Sequence, residues 1–108
     1  MTGAPAYVRA CAVADLTDDQ PKRFLVDGVA VAVVRTEGEV FAIQDVCSHA
    51  NVALSEGEVD DQTIECWLHG SRFDLVTGAP TGLPATKPVP VYPVKIDGDD
   101  VLVAVKED

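Results

Sequence analysis

The chain has 108 residues, 47% of them apolar and 24% charged, which is enough for one domain with one ordinary hydrophobic core and argues against disorder. Eighteen acidic against eight basic residues leave a formal charge of −10, which speaks against nucleic acid and anionic membranes as partners. The longest apolar run, Val29 to Val34, is far below the ~20 residues of a membrane-spanning helix, and Met1 to Pro5 shows no secretory signal, so a cytoplasmic protein is the simplest expectation.

In chain order, short β-branched runs alternate with turn residues. Tyr7 to Cys11 opens the series. Lys22 to Val26 and Val29 to Arg35 flank Asp27-Gly28, a hairpin signal in which glycine supplies a positive φ. Glu37-Gly38-Glu39 separates the second run from Val40 to Ile43. Val59 to Glu65 reads as one further strand. Val91 to Ile96 and Val101 to Val105 flank Asp97-Gly98-Asp99-Asp100, a last hairpin. Alternation at Val89 and Val91, or at Val101, Val103 and Val105, predicts one buried face per strand. No segment carries a long 3.6-residue apolar stripe. The expectation is an all-β chain, an antiparallel sandwich or squat barrel, as a single domain over 1–108.

The middle, roughly 45 to 88, breaks the strand rhythm. Five of the seven prolines fall between Pro80 and Pro93, so this stretch predicts a stiff, irregular connection beside a site and not a ladder strand.

The same middle holds Cys47-Ser48-His49 and, after a gap of sixteen residues, Cys66-Trp67-Leu68-His69. Both histidines of the chain and two of its three cysteines lie in these clusters. Each cluster offers one thiolate and one imidazole in one short loop, and Gly70 allows the second loop to turn sharply. Three cysteines without a secretion signal point to metal or burial and away from a disulfide framework. Two four-ligand readings are open. A mononuclear zinc site is one, since Cys₂His₂ tetrahedra are common, although zinc fingers pair like ligands locally and follow them with a helix. Mixed pairs suit two metals, with both cysteines on one iron and both histidines on the other.

These motifs and their flanks resemble the Rieske ferredoxin family, in its soluble, low-potential branch, and are similar to the ferredoxin components of ring-hydroxylating dioxygenases. The matching residues are Cys47-Ser48-His49, then Cys66-Trp67-Leu68-His69-Gly70-Ser71-Arg72-Phe73-Asp74, then Thr77-Gly78. The resemblance implies a β-sandwich base with an inserted cluster-binding lobe and a proline-containing third loop, Gly82-Leu83-Pro84-Ala85-Thr86. It implies one [2Fe–2S] cluster on Cys47, His49, Cys66 and His69. Neutral imidazoles on one iron raise the potential above that of an all-thiolate site, to about −150 to +300 mV. The respiratory branch has an extra cysteine in each ligand loop and a tyrosine hydroxyl near the cluster. Here neither loop has that cysteine, and Phe73 stands at the tyrosine position, while Ser71 keeps the serine hydroxyl that the same branch also has, so a potential below the respiratory type is expected.

The resemblance implies a one-electron carrier and not an enzyme, fed by a flavoprotein reductase. Its acceptor is either a ring-hydroxylating dioxygenase or, for a stand-alone ferredoxin, cluster assembly or general redox metabolism. The sequence alone tips slightly to the stand-alone role, because nothing in it speaks of a substrate pathway. An oxygenase would need a further iron on two histidines and a carboxylate, and both histidines are already used. Cys11 reads as a small buried hydrophobe. Trp67 suits either docking or packing beneath its loop. Arg72 and Lys87 are the basic residues in or beside the lobe, and Glu56, Glu58, Asp60, Asp61 and Glu65 read as a solvated face.

Overall fold

A computed structural model describes residues 5–47, 52–68, 70–81 and 87–107. Their strands are β1 (Pro5–Ala12), β2 (Lys22–Val26), β3 (Val29–Thr36), β4 (Glu39–Gln44), β5 (Val59–Asp60), β6 (Thr63–Glu65), β7 (Arg72–Asp74), β8 (Val91–Tyr92), β9 (Val94–Asp97) and β10 (Asp100–Glu107). Two short 3-10 turns, Val13–Asp15 and Leu54–Glu56, complete the elements. All ladders are antiparallel, in three sheets ordered β1-β10-β9, β2-β3-β4-β8 and β5-β6-β7. The all-β expectation is met.

The tight hairpins follow from backbone chemistry. Asp27-Gly28 has φ of 53° and 84°, and Glu37-Gly38 has 52° and 80°. Two successive positive φ values match the twist of the flanking strands, which is why Val26 pairs Val29 and Thr36 pairs Glu39 across two-residue turns. The segment expected as one strand, Val59 to Glu65, is instead a third hairpin of this kind. Asp61 and Gln62 take φ of 54° and 61°, and Asp60 pairs Thr63. Their polar side chains make the left-handed region affordable, so the turn forms with no glycine to announce it.

Val91 to Ile96 is also not one strand. β8 pairs β4 in the central sheet, whereas β9 pairs β10 in the outer one. Pro93 lies between them, without an N–H to continue a ladder, and its carbonyl accepts from Ala104 N–H at 3.1 Å. The chain changes sheets at that residue.

The central sheet is covered on both sides, which corrects the expectation of one buried face per strand. Val31 and Val33 of β3 pack with Cys11, Val26, Val101 and Val103 toward the outer sheet. Ala32 and Val34 pack the other way, with Ile43 of β4 and with Leu54, Ile64 and Phe73 of the inserted lobe. A strand buried on both faces reads as a continuous apolar run. Each fully buried Phe, Ile, Leu or Val contributes about 1.5–3 kcal/mol. Ladders as short as β5-β6-β7 are marginal alone, so burial of Leu54, Ile64, Phe73 and Leu75 holds the lobe on the sheet.

Candidate metal centre

Beyond Gln44, whose N–H donates to Pro90 O at 2.9 Å, the chain leaves the central sheet. Asp45 N–H still donates to Ala30 O at 3.0 Å, and two residues later Cys47 enters the lobe core, 3% exposed. The amide of Cys47 donates to Val52 O at 2.9 Å, closing a loop five residues on. The second loop has the same frame. β6 ends at Glu65, and Cys66, fully buried, donates its N–H to Ser71 O at 2.6 Å, again five residues on. Gly70, at φ 79°, returns its N–H to Cys66 O at 2.9 Å before β7 begins.

Two thiols therefore sit at the roots of two loops closed in the same way, and both belong to one core cluster with Leu54, Ile64 and Phe73. His49 and His69 occur in the sequence within these loops but lie outside the described residues, as do Ser48, Ala50, Asn51 and the third-loop segment Gly82 to Thr86. Among the described residues no three metal-capable side chains come together. The donor set nevertheless fits a metal group. Buried thiolates in apolar surroundings are costly unless a cation compensates them, and soft sulfur donors suit zinc or iron–sulfur clusters. Cys11 has no part in this. It is a free cysteine in the opposite core, where burial, and then Asp15, pushes its thiol up, as a core residue that stays protonated.

The remaining candidates sort themselves by contact. Arg72 Nη2 lies 3.1 Å from Glu65 Oε1, and Nη1 donates to Thr63 Oγ1 at 2.8 Å, so its charge braces β7 against β6. Glu65 is thereby half-buried and paired, while Glu56, Glu58, Asp60 and Asp61 are exposed as expected. Trp67 is 50% exposed and Leu68 42%, so the indole is not wholly tucked beneath its loop. Lys87 is exposed. Ser71 and Phe73 are fully buried on either side of Arg72. Sequence reasoning passed over Asp45, a fully buried carboxylate with Ser55 and Arg23 around it. Its only signal was an acid directly after an apolar strand.

A β-sandwich with a lobe that presents two buried loop-root cysteines is the frame of a protein that holds a thiolate-ligated metal group. The model of the Rieske [2Fe–2S] domain matches residues 6–93, and the chain belongs to that family. One relative is the ferredoxin component of biphenyl 2,3-dioxygenase from Rhodococcus jostii (strain RHA1), 43% identical over 98 residues, which cover 91% of this chain and 92% of that one. Among solved structures, the ferredoxin of carbazole 1,9a-dioxygenase from Nocardioides aromaticivorans IC177 superimposes with a TM-score of 0.89 at 45% identity, covering 94% of this chain and 99% of that one. A chain from a complex of reduced oxygenase and oxidised ferredoxin in carbazole 1,9a-dioxygenase gives a TM-score of 0.86 at 33% identity, covering 94% of this chain and 95% of that one. The family brings one Rieske-type [2Fe–2S] cluster and the role of electron carrier. No helix among the described residues is long and apolar enough to cross a membrane.

Proposed function

We propose that Cys47, His49, Cys66 and His69 hold the cluster, with the two cysteines on one iron and the two histidines on the other, within a lobe spanning roughly 45 to 88. The observation that carries this is the pair of buried cysteines at the roots of two loops, each closed by the cysteine N–H on the carbonyl five residues on and each containing one of the chain's two histidines. The cluster supplies one-electron redox chemistry. The protein's own part is to keep the thiolates dry, to fix both loops by the Cys47–Val52 and Cys66–Ser71 bonds, and to present Trp67 and Leu68 of the second ligand loop at the surface.

The chain passes single electrons from a flavoprotein reductase to an oxygenase. Relatives named as dioxygenase ferredoxins, one of them in a complex with its oxygenase, support a ring-hydroxylating dioxygenase as acceptor over the stand-alone role. Three buried cysteines, none of them in a disulfide among the described residues, suit a reducing compartment, in keeping with the cytoplasm.

Iron and acid-labile sulfide analysis is the direct test. About two of each per chain, and an EPR signal confined to the reduced protein, are expected of a cluster with this ligation. Stoichiometric zinc in a colourless, folded protein would show the mononuclear alternative instead. His49→Ala and His69→Ala should each abolish or convert the cluster, since each removes the sole imidazole of its loop.

A further inference from the structure

We infer that Asp45 is a positioning residue, a buried latch that sets the first ligand loop. This rests on the assignment of Cys47 as a ligand. Asp45 is fully buried, while most of the chain's acids are exposed. One carboxylate oxygen accepts the Ser55 N–H at 2.6 Å, and the other accepts the Ser55 hydroxyl at 2.6 Å. Arg23 Nη1, from β2, reaches the second oxygen at a longer 3.4 Å. Among the described residues no buried side-chain polar atom is left without a partner.

The geometry assigns the short bonds a specific task. Ser55 lies in the 3-10 turn Leu54–Glu56, and Leu54 is fully buried beside Cys47 in the lobe core. The Asp45–Ser55 pair thus ties the two ends of the segment that carries Cys47, one anchored to the central sheet by Asp45 N–H to Ala30 O and the other to the lobe. Inside this outer tie sits the inner one, Cys47 N–H to Val52 O. The second loop has no carboxylate of this kind at its root. There Glu65 turns outward to Arg72, and the β6–β7 ladder does the holding. A loop that does not return along a ladder needs another closure, and a buried carboxyl group that accepts two short bonds from one residue supplies it away from bulk water. Arg23, half-exposed and longer, offsets the buried charge and leaves the geometry to Ser55.

Amide hydrogen exchange on the full-length chain as purified reads the latch, whatever the cluster ligation proves to be. Asp45→Ala should speed exchange across 45–55 by roughly tenfold or more, the factor that about 1.4 kcal/mol of lost closure gives. The segments 63–74 and 100–107 should be unaffected. Asp45→Asn should restore near-native exchange, because its carbonyl still accepts the Ser55 N–H and its amide can donate to the Ser55 oxygen. Iron release to a chelator should follow the same order, fast for alanine and near-native for asparagine. Ser55→Ala, which removes only the hydroxyl bond, should give an intermediate rate and stands in if Asp45→Ala does not fold. Unchanged exchange in 45–55, an increase spread evenly over the molecule, or an asparagine variant as loose as alanine would each overturn the latch. Absence of iron from the native protein would instead sink the cluster assignment, and the exchange result would stand apart from it.

Discussion

At the scale of single residues, Phe73 stands where the resemblance gives the respiratory branch a tyrosine, whereas Ser71 keeps the serine of that branch. Both are fully buried, flank Arg72, and Phe73 shares the core cluster that holds Cys47 and Cys66. A hydroxyl donating to a cluster sulfur stabilises the reduced state more, because that state carries one more negative charge. Hydrogen bonds to charged groups contribute about 1.5–3 kcal/mol against ~1 for neutral ones. A difference of ~1–2 kcal/mol between oxidation states converts to roughly 40–90 mV for one electron. Ser71→Ala should therefore lower the potential by an amount of that order, and Phe73→Tyr should raise it similarly if the ring keeps its place. Voltammetry on both variants decides this, and no shift in Ser71→Ala would leave the serine as a small residue fitted to a tight loop. The two cysteine–histidine pairs were legible because residue types, not positions in space, carry the signal. Asp45 was not, since one acid among eighteen looks like solubility until its burial is seen.

At the scale of elements, the lobe depends on how closely its 3-10 turn approaches β6. Gly57 N–H donates to Leu54 O at 2.9 Å, and a Cβ at Gly57 would stand 1.7 Å from the carbonyl oxygen of Glu65, the residue before Cys66. That neighbour is backbone, so it cannot rotate away. Gly57→Ala should cost about 1–3 kcal/mol as an overpacking change, read as a lower urea midpoint with unchanged slope. Gly28→Ala makes the useful control, for a Cβ there meets nothing within 4 Å and only the positive φ of 84° resists it. A midpoint shift no larger for Gly57 than for Gly28 would mean that the turn simply moves aside. The same contrast explains which elements the sequence discloses. The glycine-marked hairpins at Gly28, Gly38 and Gly98 could be read directly. The β5–β6 turn could not, because Asp61 and Gln62 adopt positive φ without glycine. β7 is three residues long and shows no period of its own, and the change of sheet at Pro93 depends on partners distant in sequence.

At the scale of the whole molecule, the −10 charge is unevenly used. Arg9, Arg23, Arg35 and Arg72 are committed to ion pairs with Asp100, Asp45, Asp18 and Glu65. Among the described residues Glu56, Glu58, Asp60 and Asp61 form none, and all four are exposed on the lobe between the two ligand loops. Their field therefore projects from the lobe proposed to hold the cluster, with exposed Trp67 and Leu68 in the same lobe. A field of one sign raises the rate of encounter with an oppositely charged surface more than it tightens the complex. Exposed charges are screened beyond about 10 Å at 0.1 M ionic strength, so steering fades first as salt rises while apolar contact persists. Stopped-flow reduction by a flavoprotein reductase should slow between low and moderate salt through its second-order rate constant. Glu58→Gln with Asp60→Asn should flatten that dependence and leave the rate at high salt nearly unchanged, because it removes charge without touching the loops. A native rate that is flat across the same range would relegate the acidic face to solubility, and docking would then rest on apolar contact alone.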